Sequence, residues 1–290
     1  MDTAAYLREV VTVLSQDVGV RSFQDMRKIE EAEHYISSEF NSFGYHITRQ
    51  PFYFFGNTYN NLIAERVGAS SPGKVLVVGA HYDTVRGTPG ADDNASGVAG
   101  MLALARILAG KRLARTVRFA AFALEESPVY RTESMGSYHY ARSLKEKDED
   151  VEGMICLEMI GFFSDQKNSQ RYPLPLMRLK YPMTGNFISM VGTTGSRSFL
   201  RGIASAFRHA VDLPLVTLNA PSIVLGIDFS DHWSFSKFGY NAFMVTDTAF
   251  YRNPHYHEPT DLPGTLDYGR AAQVVEGLAY AVAALGMQER

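Results

Sequence analysis

Apolar positions change period several times along this chain, and each change predicts an element. The run KVLVVGA, Lys74 to Ala80, is apolar and rich in β-branched residues without alternation, the pattern of a strand buried on both faces. After a polar loop comes GVAGMLALARILAG, apolar almost all the way round, which predicts a buried helix. Upstream, Ile29, Ala32, Ile36 and Phe40 recur near helical spacing with Gly44 placed to stop the helix, so N-terminal helices are expected over about 1–45. Between Tyr45 and Val67 the pattern turns aromatic and alternating around GNTYNN, predicting a hairpin that leads into an edge strand, NLIAERV. Further strands are expected at TVRFAAFAL from Thr116, MICL from Met154 and NAFMVTD from Asn241. Helical patterns lie between them, notably Phe199 to Val211 and a closing helix from Asp267. In the latter, Ala271, Val274, Val275, Leu278, Val282 and Leu285 form one stripe. This alternation predicts an α/β fold, three-layer α/β/α around a central mixed, mostly parallel sheet. A single domain over residues 1–290 is expected, and the Pro-, Tyr- and charge-rich stretch from Phe162 to Thr184 reads as a long loop of the kind that is often functional.

Composition narrows the function classes. With 290 residues and 46% hydrophobic content the chain is able to bury a large core. Its 28 basic and 31 acidic residues give a net charge of -3 without a basic stripe, which argues against nucleic acid as a partner. One cysteine, Cys156, lies in an apolar run, so no intramolecular disulfide forms and a buried thiol is expected. The opening residues are interrupted by Asp2, Arg8, Glu9 and Asp17, and no run reaches membrane-spanning length, so a membrane is not expected as a partner. The expected location is cytoplasmic if Met1 is the natural start, and periplasmic or secreted if a leader has been removed.

Candidate chemistry collects at the predicted strand ends. The loop AHYDTVRGTPGADDNASG follows one strand; Glu125 and Glu126 follow the next; Glu158 follows MICL; His255, His257 and Asp261 follow the last. In a parallel-type sheet these ends share one crevice, so His81, Asp83, Asp92, Asp93, Glu125, Glu126, Glu158 and His257 are expected to converge there. Carboxylates so crowded and partly buried require cations. Imidazole with carboxylate and no thiolate suits zinc, with manganese or cobalt as alternatives. Two histidines and three carboxylates suffice for two ions if one carboxylate bridges. Asp83 is placed to hold the His81 ring through its second nitrogen, and a carboxylate left free beside the ions would be a general base.

Each piece alone has a plainer reading. A His-x-Asp after a strand is more often a satisfied loop histidine, Glu125 and Glu126 suit the first turn of an exposed helix, and His232 suits a helix start behind the cap candidates Asp231 or Ser230. His255 is read as structural. Glu158, flanked by apolar residues, would be buried without a partner.

The ordered set of His81-Tyr-Asp83, GADDNASG, Glu125-Glu126, Glu158-Met-Ile-Gly161, SDH at Ser230 and His257 followed by Asp261 resembles the co-catalytic zinc aminopeptidases. That family also includes glutaminyl cyclases, a glutamate carboxypeptidase and the transferrin-receptor ectodomain. The match runs from about Asn60 onward. The resemblance implies one ion held by His81, Asp93 and Glu158, and a second held by Asp93, Glu126 and His257, with Asp93 bridging and followed by a cis peptide. It further implies Glu125 as general base, Tyr256 as an oxyanion stabiliser, and Asp231 and His232 in a pocket wall. Where many relatives carry aspartate, this chain carries Glu158. Two zinc ions are therefore expected, one being possible, with peptide substrates. The function implied is a metal-dependent exopeptidase, most simply an aminopeptidase. Alternatives are a one-zinc glutaminyl cyclase, for which the aromatic surroundings are not evident, and a non-catalytic binding domain, which has no need of the intact ligand set.

Overall fold

The computed structural model describes residues 1–285 of the chain. Two N-terminal helices come first, α1 (Thr3–Thr12) and α2 (Met26–Ser42), joined through a wide turn at Val13–Val18. The side chain of Asp25 caps α2, and Gly44 ends the turn after it at φ 84°. The strands β1 (Ile47–Phe54), β2 (Asn57–Arg66) and β3 (Ser71–His81) follow, then α3 (Gly97–Leu108), β4 (Arg115–Phe122), α4 (Gly136–Glu146) and β5 (Val151–Leu157). The last part comprises β6 (Ile188–Thr193), α5 (Arg197–Ala210), β7 (Leu215–Ala220), α6 (His232–Lys237), β8 (Ala242–Thr246) and α7 (Tyr268–Ala284).

All eight strands form one sheet in the order β1-β2-β4-β3-β5-β8-β6-β7. The central run β4-β3-β5-β8 is parallel, whereas β1-β2, β2-β4 and β6-β8 pair antiparallel, giving the mixed sheet that the sequence pattern predicts. Alternate residues of the strands face two cores. Leu76, Val78 and Ala80 of β3 join the larger core with Ile36, Leu102, Leu200 and Val275. Val75 and Val77 join the smaller one with Tyr140, Leu144 and Phe235 of α4 and α6. Helices therefore cover both faces, as a parallel sheet requires.

Four differences from the sequence reading are physical. The NLIAERV strand is not an edge: as part of β2 it pairs with β1 on one side and β4 on the other, and β1 takes the edge. The helical N-terminal stretch is broken between Val18 and Met26. There Arg21, fully buried, donates to the carbonyls of Leu14, Gly19, Tyr82, Pro89 and Gly90, lashing the N-terminal turn to the loop after β3. Strands β6 and β7 lie where no strand is expected. Glu125 and Glu126 begin no helix; both are buried in the loop after β4. Among the described residues no helix is long and apolar enough to cross a membrane.

Chain order makes the end of β3 a switch point. The chain leaves β3 for β4 on one side and then crosses to β5 on the other, so the loops after these strands diverge and leave a crevice at their carboxyl ends.

Candidate active site

Three of the loops that line this crevice reach it through backbone that side-chain-bearing residues rarely adopt. Leu124 before Glu125, Met159 after Glu158, and His257 itself lie at φ 58°, 50° and 59°. In the loop after β3, Gly90 lies at φ 66°, and a Cβ there would collide with the Asp93 carbonyl. The peptide Asp93–Asn94 is cis.

Each acid pair is oriented by a third carboxylate. The Asp83 carboxylate accepts the backbone N–H groups of Glu125 and Glu126, at 2.9 and 3.1 Å, one on each oxygen. Asp261 does the same for Asp92 and Asp93, at 2.9 and 3.1 Å. The Nδ1 of His81 faces Asp83 as expected, although the nearer acceptor is the Asp83 carbonyl at 3.2 Å and its carboxylate lies at 3.4 Å. That contact turns His81 Nε2 towards the crevice.

Asp93 stands at the centre, 3% exposed, with one oxygen towards each histidine. Its Oδ1 is 3.5 Å from His81 Nε2, which is 3.3 Å from Glu158 Oε2. Its Oδ2 is 3.1 Å from His257 Nε2, which is 3.4 Å from Glu126 Oε1. Charge-assisted hydrogen bonds run about 2.7–2.9 Å, so these contacts are long for hydrogen bonds. A tetrahedral zinc with bonds of about 2.0–2.1 Å sets its ligand atoms roughly 3.3–3.4 Å apart, in the middle of the 3.1–3.5 Å range of these contacts. The donor set therefore suits zinc coordination. Donor atoms of His81, Asp93 and Glu126 all fall within 4.8 Å of one another.

Electrostatics points the same way. Burial alone would hold both imidazoles neutral, yet Glu158, Asp83 and Asp93 push His81 well above its ordinary range, and Asp93 and Glu126 push His257 up to about 10. Burial raises Glu126 to about 7 and lifts Glu125 well above the carboxylate range. Acids this buried call for compensating positive charge, which protonated histidines or a cation can supply.

The remaining candidates separate. Among the described residues no hydrogen bond engages the Glu125 carboxylate, which lines the cavity beside the cluster. Tyr256 lines it too, its ring stacked on His257 at 3.8 Å, and burial with nearby Asp93 and Glu126 holds its hydroxyl protonated. Asp92, expected in the crevice, points away from it: its oxygens accept from the Gly161 amide at 2.9 Å and the Asn253 side chain at 2.7 Å, tying in the loops that carry Glu158 and His257. Asp231 and His232 are buried behind the cluster, where His232 Nε2 meets the Ile227 carbonyl at 2.8 Å. His255 lies outside it, with its Nδ1 on Thr260.

Ser230, Asp247 and Asn94 also build the site, although the sequence pattern assigns them no role there; the Ser230 hydroxyl donates to Glu158 Oε2 at 2.6 Å. Asp247 accepts the amides of Phe162 and Ala249, and Asn94 accepts those of Gly97 and Met159 while donating to the Leu157 carbonyl. Asp247 carries the same signal as the acids that were found, an acid directly after a core strand.

Beside the cluster opens a cavity of 280 Å³. Val191, Val216, Leu218, Met244, Ile227 and Phe229 contribute apolar walls, and its charged lining is confined to Asp93, Glu125, Glu126, Glu158 and His257.

A switch-point crevice with a cation-fitting acid cluster and an adjoining apolar cavity defines a metallohydrolase-type site, and the comparisons name its family. Residues 61–282 match the model of peptidase family M28. The chain belongs to that family, the co-catalytic zinc aminopeptidases and their kin that its ordered motifs resemble. It is 40% identical over 280 residues to the Escherichia coli (strain K12) protein YfbL, uncharacterized, covering 94% of this chain and 85% of that one. Further curated relatives are longer, and the chain covers between 21% and 56% of their lengths. In fold it is similar to a zinc aminopeptidase from Bacillus subtilis, at TM-score 0.77 and 17% identity, over 96% of this chain and 94% of the other. It is similar also to Porphyromonas gingivalis glutaminyl cyclase, at TM-score 0.72 and 20% identity, over 96% and 97%.

Proposed function

We propose that this chain is a zinc-dependent aminopeptidase that removes bulky apolar residues from the amino ends of peptides. One observation carries the reading: the charge of the cavity. Its polar end holds four carboxylates and one histidine, its walls are apolar, and no arginine or lysine is among the described residues that line it. Three of those acids would be spent as zinc ligands, which leaves Glu125 free for an ammonium group, the walls for an apolar side chain, and no lysine or arginine among the described lining residues to pair with a substrate carboxylate. The amino end rather than the carboxyl end of a peptide fits.

His81, Asp93 and Glu158 would hold one zinc ion, and Asp93, Glu126 and His257 a second. Zinc in such a pair polarises a carbonyl and lowers the pKa of water. Glu125, free of hydrogen bonds and facing the same space, accepts the proton of the attacking water and passes it to the leaving amine. The Tyr256 hydroxyl, kept protonated, is a donor to the oxyanion that develops at the scissile carbonyl. The same name in the Bacillus subtilis neighbour supports the reading, as does the family.

The test is release of amino acid from a panel of free and N-acetylated peptides, with and without zinc. Leucyl and phenylalanyl peptides should be cleaved after zinc loading and their acetylated forms left intact. Cleavage of blocked peptides from the carboxyl end, or ring closure of glutaminyl peptides without hydrolysis, would overturn it.

A further inference from the structure

The stretch from Phe162 to Thr184, long and positively charged, is only half used by the cavity. Tyr172, Pro173, Met177 and Tyr181 turn inward and line it. Between them, on and beside the short 3-10 turn Pro175–Leu179, the side chains of Leu174, Leu176 and Leu179 turn outward and are 54%, 78% and 82% exposed. Opposite, Val224, Leu225 and Gly226 line the same cavity while Ile223 and Leu225 are 90% and 59% exposed. Of the twelve exposed large hydrophobics among the described residues, five sit on these two lips. Singly exposed apolar residues are ordinary; their concentration at one cavity mouth is not.

Charge indicates what covers them. Every charged residue from 166 to 184 is basic: Lys167, Arg171, Arg178 and Lys180, all on the surface. None forms an ion pair with a described residue, whereas the flanking acids Asp165 and Asp228 are taken up by Arg270 and Arg131, at 2.8 and 2.9 Å. A chain of net charge -3 thus displays four cations without a carboxylate partner among the described residues on the segment that carries three of its exposed leucines, Lys180 lying over the Tyr181 ring. A second copy of the chain fits poorly, because a two-fold contact would set the two basic lips face to face. Leucines flanked by lysine and arginine match the boundary of an anionic bilayer, where aliphatic side chains enter the acyl region and cations meet headgroup phosphates.

We propose that the two lips seat the protein peripherally on an anionic lipid surface, with the cavity mouth at the headgroups and the acidic remainder of the molecule turned away. Seated so, the site draws on peptides whose amino ends lie at or near the membrane.

The experiment is co-sedimentation of the full chain with vesicles of phosphatidylcholine alone and of phosphatidylcholine with phosphatidylglycerol, at low and physiological salt. It reads binding without reference to the reaction, so its result stands apart from the proposed activity. Binding is expected to the anionic vesicles only and to weaken with salt. The double variants Leu176→Ser/Leu179→Ser and Arg178→Gln/Lys180→Gln should each lose roughly tenfold or more in partitioning. Both should keep the wild-type kcat/KM on a soluble aminoacyl anilide, since none of the four residues lines the cavity. Failure to bind, equal binding to neutral vesicles, or unchanged binding of either variant would overturn the proposal. So would a wild-type dimer in solution that the leucine variant dissolves.

Discussion

The two buried acid pairs, Asp92-Asp93 and Glu125-Glu126, are built alike and differ in what each does with its first member. Both are clamped by a carboxylate that accepts two consecutive amides, Asp261 for one and Asp83 for the other. In both, the second acid faces a histidine at ligand spacing. Asp92, however, is consumed by hydrogen bonds to the loops that carry Glu158 and His257, whereas Glu125 has none and opens onto the cavity. A spare buried acid is thus structural or chemical according to its partners, and adjacency in sequence does not decide between them.

The sharpest way to break this contrast is Glu125→Gln. It preserves shape but cannot accept a proton, so kcat should fall roughly 10²- to 10⁴-fold with bound zinc unchanged. Loss of zinc instead would make Glu125 a ligand and erase the asymmetry. Next in size is Asp92→Ala, which leaves the Gly161 amide and the Asn253 side chain unpaired at buried sites. Each orphaned group costs about 1–3 kcal/mol, so a lowered denaturation midpoint is expected, and an unaltered one would show that Asp92 ties nothing. Asp261→Ala should weaken zinc affinity about 10- to 100-fold while sparing the kcat of the zinc-saturated protein, as loss of an orienting group does. The smallest effect is expected from Glu158→Asp. Charge is kept and reach shortens by one methylene, so zinc affinity should shift by less than Asp261→Ala shifts it; identical zinc titrations for variant and wild type would remove Glu158 from the ligand set.

How far the sequence discloses this arrangement depends on the element. β3, β4, β5 and β8 are legible because both their faces are buried, which forces continuous apolar runs. β7 is not, since all six of its residues are only half-buried, and a strand with one partner and open flanks needs no strong pattern. β6, ISMVGT, mixes serine, glycine and threonine into its run and follows directly on a long loop. At the site, acids after core strands are visible because a charge there is out of place. Their orientation is not: Asp92 and Asp93 read alike by pattern, the family resemblance alone singles out Asp93, and the amides of Gly161 and of Asn253, remote in sequence, give the physical reason. Arg21 was beyond reach for the same reason, its five acceptors all being backbone carbonyls that any sequence supplies.

The central claim is that Asp93 is shared between two ions, and zinc stoichiometry in three proteins tests it most directly. Counted by mass spectrometry after zinc loading and desalting, the wild type should carry two zinc ions per chain, Glu126→Gln one, and Asp93→Asn none. A wild type that saturates at one ion, or an Asp93→Asn variant that retains a full site, would contradict it.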